Sequence, residues 1–143
     1  MTTIHPLTGV LPVLQYPVRA DGGLDVPALR REIDFVFASG CAGVTLAMVT
    51  EITRLTLTDR LALLEEVVSH VAGRGPMFCS VVAESSAQVM DLAKGALDRG
   101  ATALLAALPH TYQIKPSQQE SFFRGILESD RSYFTCAYCI LWP

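Results

Sequence analysis

The stretch Gly43 to Val49, GVTLAMV, is apolar almost from end to end and runs directly into Thr50-Glu51. A strand with one wet face alternates apolar and polar residues. A near-continuous apolar run bounded by turn signals instead suits a strand covered on both faces, the habit of parallel sheets. Upstream, Gly9 to Tyr16 (GVLPVLQY) is a second run rich in Val and Leu, ending at Pro17, and it reads as a first strand. Pro12 weakens it, because proline donates no ladder hydrogen bond. Between the two runs lies the turn Asp21-Gly22-Gly23, after which Asp25 is placed to cap a helix with Pro27 in its first turn. Leu29, Ile33, Val36 and Phe37 share one face of that helix, and Ser39-Gly40 stops it.

Downstream the same unit recurs. Thr56 faces Asp59 in a variant capping box and opens a second helix with Leu61, Leu64, Val68 and Val71 on its apolar face, ended by Gly73 and Gly75-Pro76. Met77 to Val82 (MFCSVV) supplies a third strand, and Ser85 or Ser86 caps a third helix carrying Val89, Leu92, Ala93, Ala96 and Leu97 inward. After Gly100, Thr102 to Ala107 forms a fourth strand, and Ser117-Gln118-Gln119-Glu120 reads as the capping box of a fourth helix bearing Phe123, Ile126 and Leu127. Strands joined by single helices of this length are parallel, with right-handed crossovers, which leaves a closed barrel or an open doubly wound sheet. No G-x-G-x-x-G or G-K-[ST] follows any strand, which weighs against a nucleotide-binding sheet.

Composition narrows the function classes. The chain has 143 residues, half of them apolar, and a net charge of -3, which fits one compact domain. A complete eight-stranded β/α barrel takes about 250 residues, so about four to five parallel β/α units are expected here, as part of a barrel or as an open sheet. Its two lysines and nine arginines are scattered along the chain, with Arg30 and Arg31 the one adjacent pair, and form no basic face, so no nucleic acid is expected as partner. No apolar run approaches the roughly 20 residues that span a bilayer, and MTTIHPLTGV lacks the parts of a signal peptide. A cytoplasmic protein with no membrane partner is expected. Cys41 and Cys79 fall in apolar stretches as small hydrophobes, and Cys136-Ala137-Tyr138-Cys139 matches C-x-x-C without the helix start or further ligands of a redox or zinc site. No metal and no cofactor is expected.

Three features stand in register: GVLPVLQYPV followed by Asp21-Gly22-Gly23-Leu24-Asp25; the strand end Ala47-Met48-Val49-Thr50-Glu51 followed by Arg54-Leu55-Thr56-Leu57-Thr58-Asp59-Arg60; and Pro109-His110-Thr111-Tyr112-Gln113-Ile114-Lys115-Pro116-Ser117. Together they resemble the N-terminal half of the dihydrodipicolinate synthase and N-acetylneuraminate lyase family, across Gly9 to Glu128. The resemblance implies a partial (β/α)8 TIM barrel over residues 1–130. It also implies a lyase of the class I aldolase type, whose lysine forms a Schiff base with pyruvate or another small 2-oxo acid at the C-terminal face. The family places that lysine on the sixth strand, which this chain does not reach, so the chain is expected to be inactive alone. Lys94 and Lys115 read as surface amines.

The resemblance also implies site residues. Where the family's second strand ends in Gly-Thr-Thr-Gly-Glu, this chain has Ala47, Met48, Val49, Thr50 and Glu51. Thr50 and Glu51 are the candidate substrate-binding residues, and the loss of the hydroxyl pair removes donors that a carboxylate would use. Tyr112 is the nearest counterpart of the catalytic tyrosine. Counting back from Pro116 places that column on Gln113, and counting forward from Pro109 places it on Thr111. His110 in the same loop is an acid-base candidate or a solvated side chain, and His5 and His70 have no evident partners. Residues 131–143, RSYFTCAYCILWP, change character and read as a divergent tail from a frameshift or truncation that could pass for a fifth strand. A half barrel leaves strand edges unpaired, so self-association through exposed barrel edges is expected. The alternative is a non-enzymatic open α/β domain binding a small ligand or protein partner.

Overall fold

The computed structural model describes residues 8–48, 50–109, 115–129 and 136–137. Along the chain these form helix α1 (Val26–Ala38), strand β1 (Val44–Leu46), a 3-10 turn (Glu51–Arg54), α2 (Leu57–Val71), β2 (Met77–Ser80), α3 (Ser86–Asp98), β3 (Ala103–Ala106), α4 (Pro116–Ser129) and β4 (Cys136–Ala137). The sheet runs β1-β2-β3-β4 and every pair is parallel. A doubly wound sheet reverses its strand order at a switch point. Here the order is sequential, so every crossover moves the same way, as in the wall of a barrel. Short β4 pairs Leu105 with Cys136, so part of the tail occupies the place of the next barrel strand.

The expected first strand is reduced to one bridge, between Val13 and Thr45. Thr45 N–H donates to Pro12 O and Leu14 N–H donates to Thr45 O, both at 2.9 Å. The next bond toward the N-terminus would need an N–H that Pro12 lacks, so the ladder stops and Ala42 N–H turns to Val10 O instead.

Register divides the sheet into two faces. Val44, Leu46, Met77, Cys79, Val81, Leu104 and Ala106 pack against the helices in one core with Leu29, Ile33, Leu64, Val67, Val89, Ala93 and Ile126. The opposite face, inward in a barrel, carries Thr45, Phe78, Ser80, Ala103 and Leu105. The α2 face is wider than its spacing predicts. Leu63, Leu64, Val67 and Val71 are buried, whereas Leu61 and Val68 are only partly so, turned toward Gly95 and Gly100 around α3. A helix flanked on a barrel wall must satisfy a neighbour as well as the sheet.

Caps follow the sequence at three helices. Asp25 accepts from Ala28 N–H, Thr56 from Asp59 N–H, and Ser85, not Ser86, from Gln88 N–H. The fourth cap is a correction. Helix α4 starts at Pro116, and Lys115 precedes it, its N–H donating to Gln118 Oε1 at 3.2 Å while its carbonyl accepts from Gln118 and Gln119. Pro116 explains the shift, because its fixed φ and missing N–H suit the first helical position. Ser117 therefore lies inside the first turn.

Helices α1 and α2 are clasped at the surface. Arg30 Nε lies 2.6 Å from Glu66, and Asp34 Oδ1 lies 2.8 Å from Arg74 Nη1 and 3.0 Å from His70 Nε2. His70 thus has a partner that its sequence neighbours do not reveal. The Arg74 guanidinium also sits over the Phe37 ring at 4.7 Å. At the N-terminal ends of β1 and β2 the backbones themselves touch: a Cβ on Gly43 would overlap Pro76 O, and one on Gly75 would overlap Ala42 O.

Two measurements check this construction. Gly43→Ala should lower stability by about 2–3 kcal/mol in urea unfolding, because rigid backbone must move, whereas Gly125→Ala, in open space on α4, should raise it by about 0.5–1 kcal/mol. Arg74 first, and then His70, hold the Asp34 carboxyl below the usual range. Its contribution is therefore present above about pH 3.9 and lost as pH falls through the lower folded value. Asp34→Asn should flatten that acid limb in melts recorded between about pH 2 and 5, by the small amount typical of exposed pairs.

Candidate active site

The C-terminal ends of the parallel strands are where a β/α barrel gathers chemistry, because the loops there can vary without disturbing the wall. Leaving β1, the chain passes half-buried Ala47 and Met48 and enters the turn headed by Thr50. The Thr50 hydroxyl donates to Ala47 O at 3.1 Å and accepts from Ile52 N–H at 3.4 Å. It therefore shapes the turn, while the buried Ile52 side chain roots it in the core.

Glu51 opens the turn with its carboxylate 2.8 Å from Arg54 Nη1; the two side chains are 44% and 80% exposed. Such a pair is worth about 0–1 kcal/mol. Glu51 is therefore an available carboxylate at the strand exit, and a ligand can compete for it at little cost. Thr50 and Glu51 stand side by side where the chain enters the 3-10 turn after β1. Val49, His110, Thr111, Tyr112 and Gln113 lie outside the described residues, as does Cys139 of the C-x-x-C pair. Lys94 and Lys115 are both exposed, on α3 and at the start of α4.

One rim residue closes the second of the motifs in register but is given no role by the sequence reading. Arg60, a turn into α2, sends its guanidinium back over the loops: Nη1 donates to Val82 O at 2.8 Å and Nη2 to Thr53 O at 3.2 Å. Its Nε is buried with no partner among the described residues. An unpaired buried donor costs about 1–3 kcal/mol, and burial lowers the Arg60 pKa from its ordinary value. Only its place in a family of bonds to distant carbonyls marks it, and no local spacing encodes that.

Beside Arg60, an open cleft of about 520 Å³ runs between the starts of α2 and α3, lined in part by Thr53, Leu55, Glu84, Gln88 and Asp91. Beneath it, burial pushes the Cys79 thiol up to about 12, with the neighbouring Arg60 charge opposing the shift. A thiol held protonated in this way is a packing group and a poor nucleophile. Among the described residues no three His, Cys, Asp or Glu side chains converge as metal ligands, and no helix is long and apolar enough to cross a membrane.

Comparison with known proteins places this rim in context. A model of the Dihydrodipicolinate synthetase family matches residues 6–134. The 4-hydroxy-tetrahydrodipicolinate synthase of Aromatoleum aromaticum is 34% identical over 126 residues, which are 86% of this chain and 42% of that protein. The chain thus spans less than half the length of such relatives. Among solved structures, the Escherichia coli K12 prophage protein YagE of the dihydrodipicolinic acid synthase family, in complex with pyruvate, superposes with a TM-score of 0.84 at 21% identity, over 97% of this chain and 46% of that one. The N-acetylneuraminate lyase of Fusobacterium nucleatum gives 0.79 at 16% identity, over 92% and 45%. At these identities the two structures speak to the fold, which is that of a partial barrel.

The weak Glu51–Arg54 pair yields a direct check. Glu51→Gln should change stability by less than about 0.5 kcal/mol in urea unfolding, as surface substitutions do. A loss several times larger would make Glu51 a structural residue and remove it from the site.

Proposed function

The chain belongs to the dihydrodipicolinate synthetase family, and from that premise we propose that it is part of a lyase of the aldolase type that acts on pyruvate or another 2-oxo acid through a lysine Schiff base. The observation that carries this reading is the family match across residues 6–134, laid over a sequential parallel sheet with Glu51 at the exit of β1.

In that chemistry a neutral lysine adds to the keto carbon, water leaves, and the resulting iminium withdraws electrons so that the neighbouring carbon gives up a proton to a base and becomes an enamine nucleophile. The amine must be neutral to attack, which requires an apolar pocket or a cationic neighbour. Lys94 and Lys115 are exposed, not in an apolar pocket, so on this reading the chain by itself forms no imine and the lysine comes from elsewhere in the barrel. On this side of the barrel Glu51 and the backbone of the Thr50 turn face the substrate, and Tyr112 carries the proton. Met48 and Val49 stand where the family pattern has its hydroxyl pair, so the substrate carboxylate is held by other donors. This favours a 2-oxo acid whose recognition rests more on the rest of its skeleton than that of pyruvate does.

The test joins residues 1–128 of this chain to the remainder of the Aromatoleum aromaticum relative and treats the product with borohydride in the presence of pyruvate or longer 2-oxo acids. Mass analysis should find a reduced adduct on the chimera and none on the chain alone. A folded chimera that traps none of these acids would overturn the lyase reading. An adduct on Lys94 or Lys115 of the chain alone would overturn the claim that it forms no imine.

A further inference from the structure

The turn that carries Thr50 and Glu51 is not fixed by its own hydrogen bonds alone. The Leu55 N–H reaches Ile52 O at 3.3 Å and the Ile52 N–H reaches the Thr50 hydroxyl at 3.4 Å, both near the long limit for such bonds. Ile52 anchors the turn in the core and Leu55 packs against that core, but apolar contacts of this kind are non-directional. A directional anchor comes from another element. Arg60 stands on α2, beyond the turn in sequence, and its two terminal nitrogens reach two carbonyls at once: Thr53 O in the turn and Val82 O, just past the end of β2.

The chemistry of the tie is specific to arginine. A guanidinium is planar and presents its donors as a rigid fork, so two carbonyls bound to it are fixed relative to each other. A lysine ammonium is a single point on a flexible stem and holds one carbonyl well. Among the described residues no carboxylate pairs with this charge: the Glu51 carboxylate goes to Arg54, and Arg60 bonds to the backbone. Its buried Nε, unpaired among the described residues, makes it an expensive way to gain stability. What it supplies is geometry, the spacing between the exits of two adjacent strands.

We propose that Arg60 is a positioning residue for the rim: by bonding the carbonyls of Thr53 and Val82 together it sets the turn bearing Thr50 and Glu51 against the end of β2. Its bearing on catalysis rests on the lyase reading above; the tie itself does not. The consequence is that Arg60 acts through the turn, without touching substrate.

Amide hydrogen exchange on the full chain, with urea melts alongside, tests this. Arg60→Met should speed exchange at Ile52 and Leu55 on the order of tenfold, as expected for losing local hydrogen bonds, while Ala93 and Ala96 in α3 stay near their wild-type rates. Arg60→Lys should recover part of the protection, because an ammonium can still hold one carbonyl. Should Arg60→Met fail to fold, Arg60→Gln and Arg60→Lys carry the same comparison. Unchanged exchange at Ile52 and Leu55, or a rise shared equally by the α3 amides, would overturn the proposal. Exchange is read without substrate, so an adduct missing from the chimera with Arg60 intact counts against the lyase reading and leaves this result standing.

Discussion

Thr45 is held from both sides, and the rest of the sheet depends on that. Its N–H and carbonyl bond to Pro12 and Leu14, its hydroxyl donates to Leu11 O at 3.2 Å, and across β1 it is in register with Phe78. A buried threonine hydroxyl without a partner would be costly. Here the hydroxyl reinforces the one place where the proline-interrupted first segment joins the sheet. From that junction onward the strands are parallel and in sequential order, so each right-handed crossover helix lands on the same side of the sheet. The single helical layer follows from that order.

The two ends of this sheet are built by different means. At the N-terminal end, Gly43 and Gly75 let backbone meet backbone, with no room for a side chain. At the C-terminal end, side chains reach to backbone: Thr50 to Ala47 O, Arg60 to Thr53 O and Val82 O. Backbone contact fixes one geometry and resists substitution. Side-chain ties can be exchanged for others, which is why the C-terminal end of such a fold carries chemistry and the other end carries stability.

Much of this fold is legible in the sequence because it is local. The caps at Asp25, Thr56 and Ser85 and the faces of α1 and α3 depend on residues within a turn or two of one another, and periodicity records them. The misreadings arise where a single residue overrides the pattern or a distant neighbour intervenes. Pro12 breaks a ladder that the apolar run predicts, Pro116 moves a cap two residues upstream, and α3 draws Leu61 and Val68 out of the face assigned to them. The His70 contact with Asp34 spans two helices and leaves no trace in local spacing.

The candidate site divides along the same line. Glu51 is singled out in sequence by the family resemblance, at the point where an apolar run must end. Arg60 closes the same motif, but the sequence gives it no role, because its bonds go to two carbonyls on other elements. This also explains how residues 47 to 49 can depart from the family pattern while the fold persists. The turn is shaped by the Thr50 hydroxyl, rooted by Ile52 and tied by Arg60, and none of these requires a hydroxyl at position 48 or 49. Shape at the strand exit and chemistry at the strand exit are therefore carried by different residues. Ancestry, read from the first, constrains the second only loosely, and substrate choice has to be argued from Ala47, Met48 and Glu51 themselves.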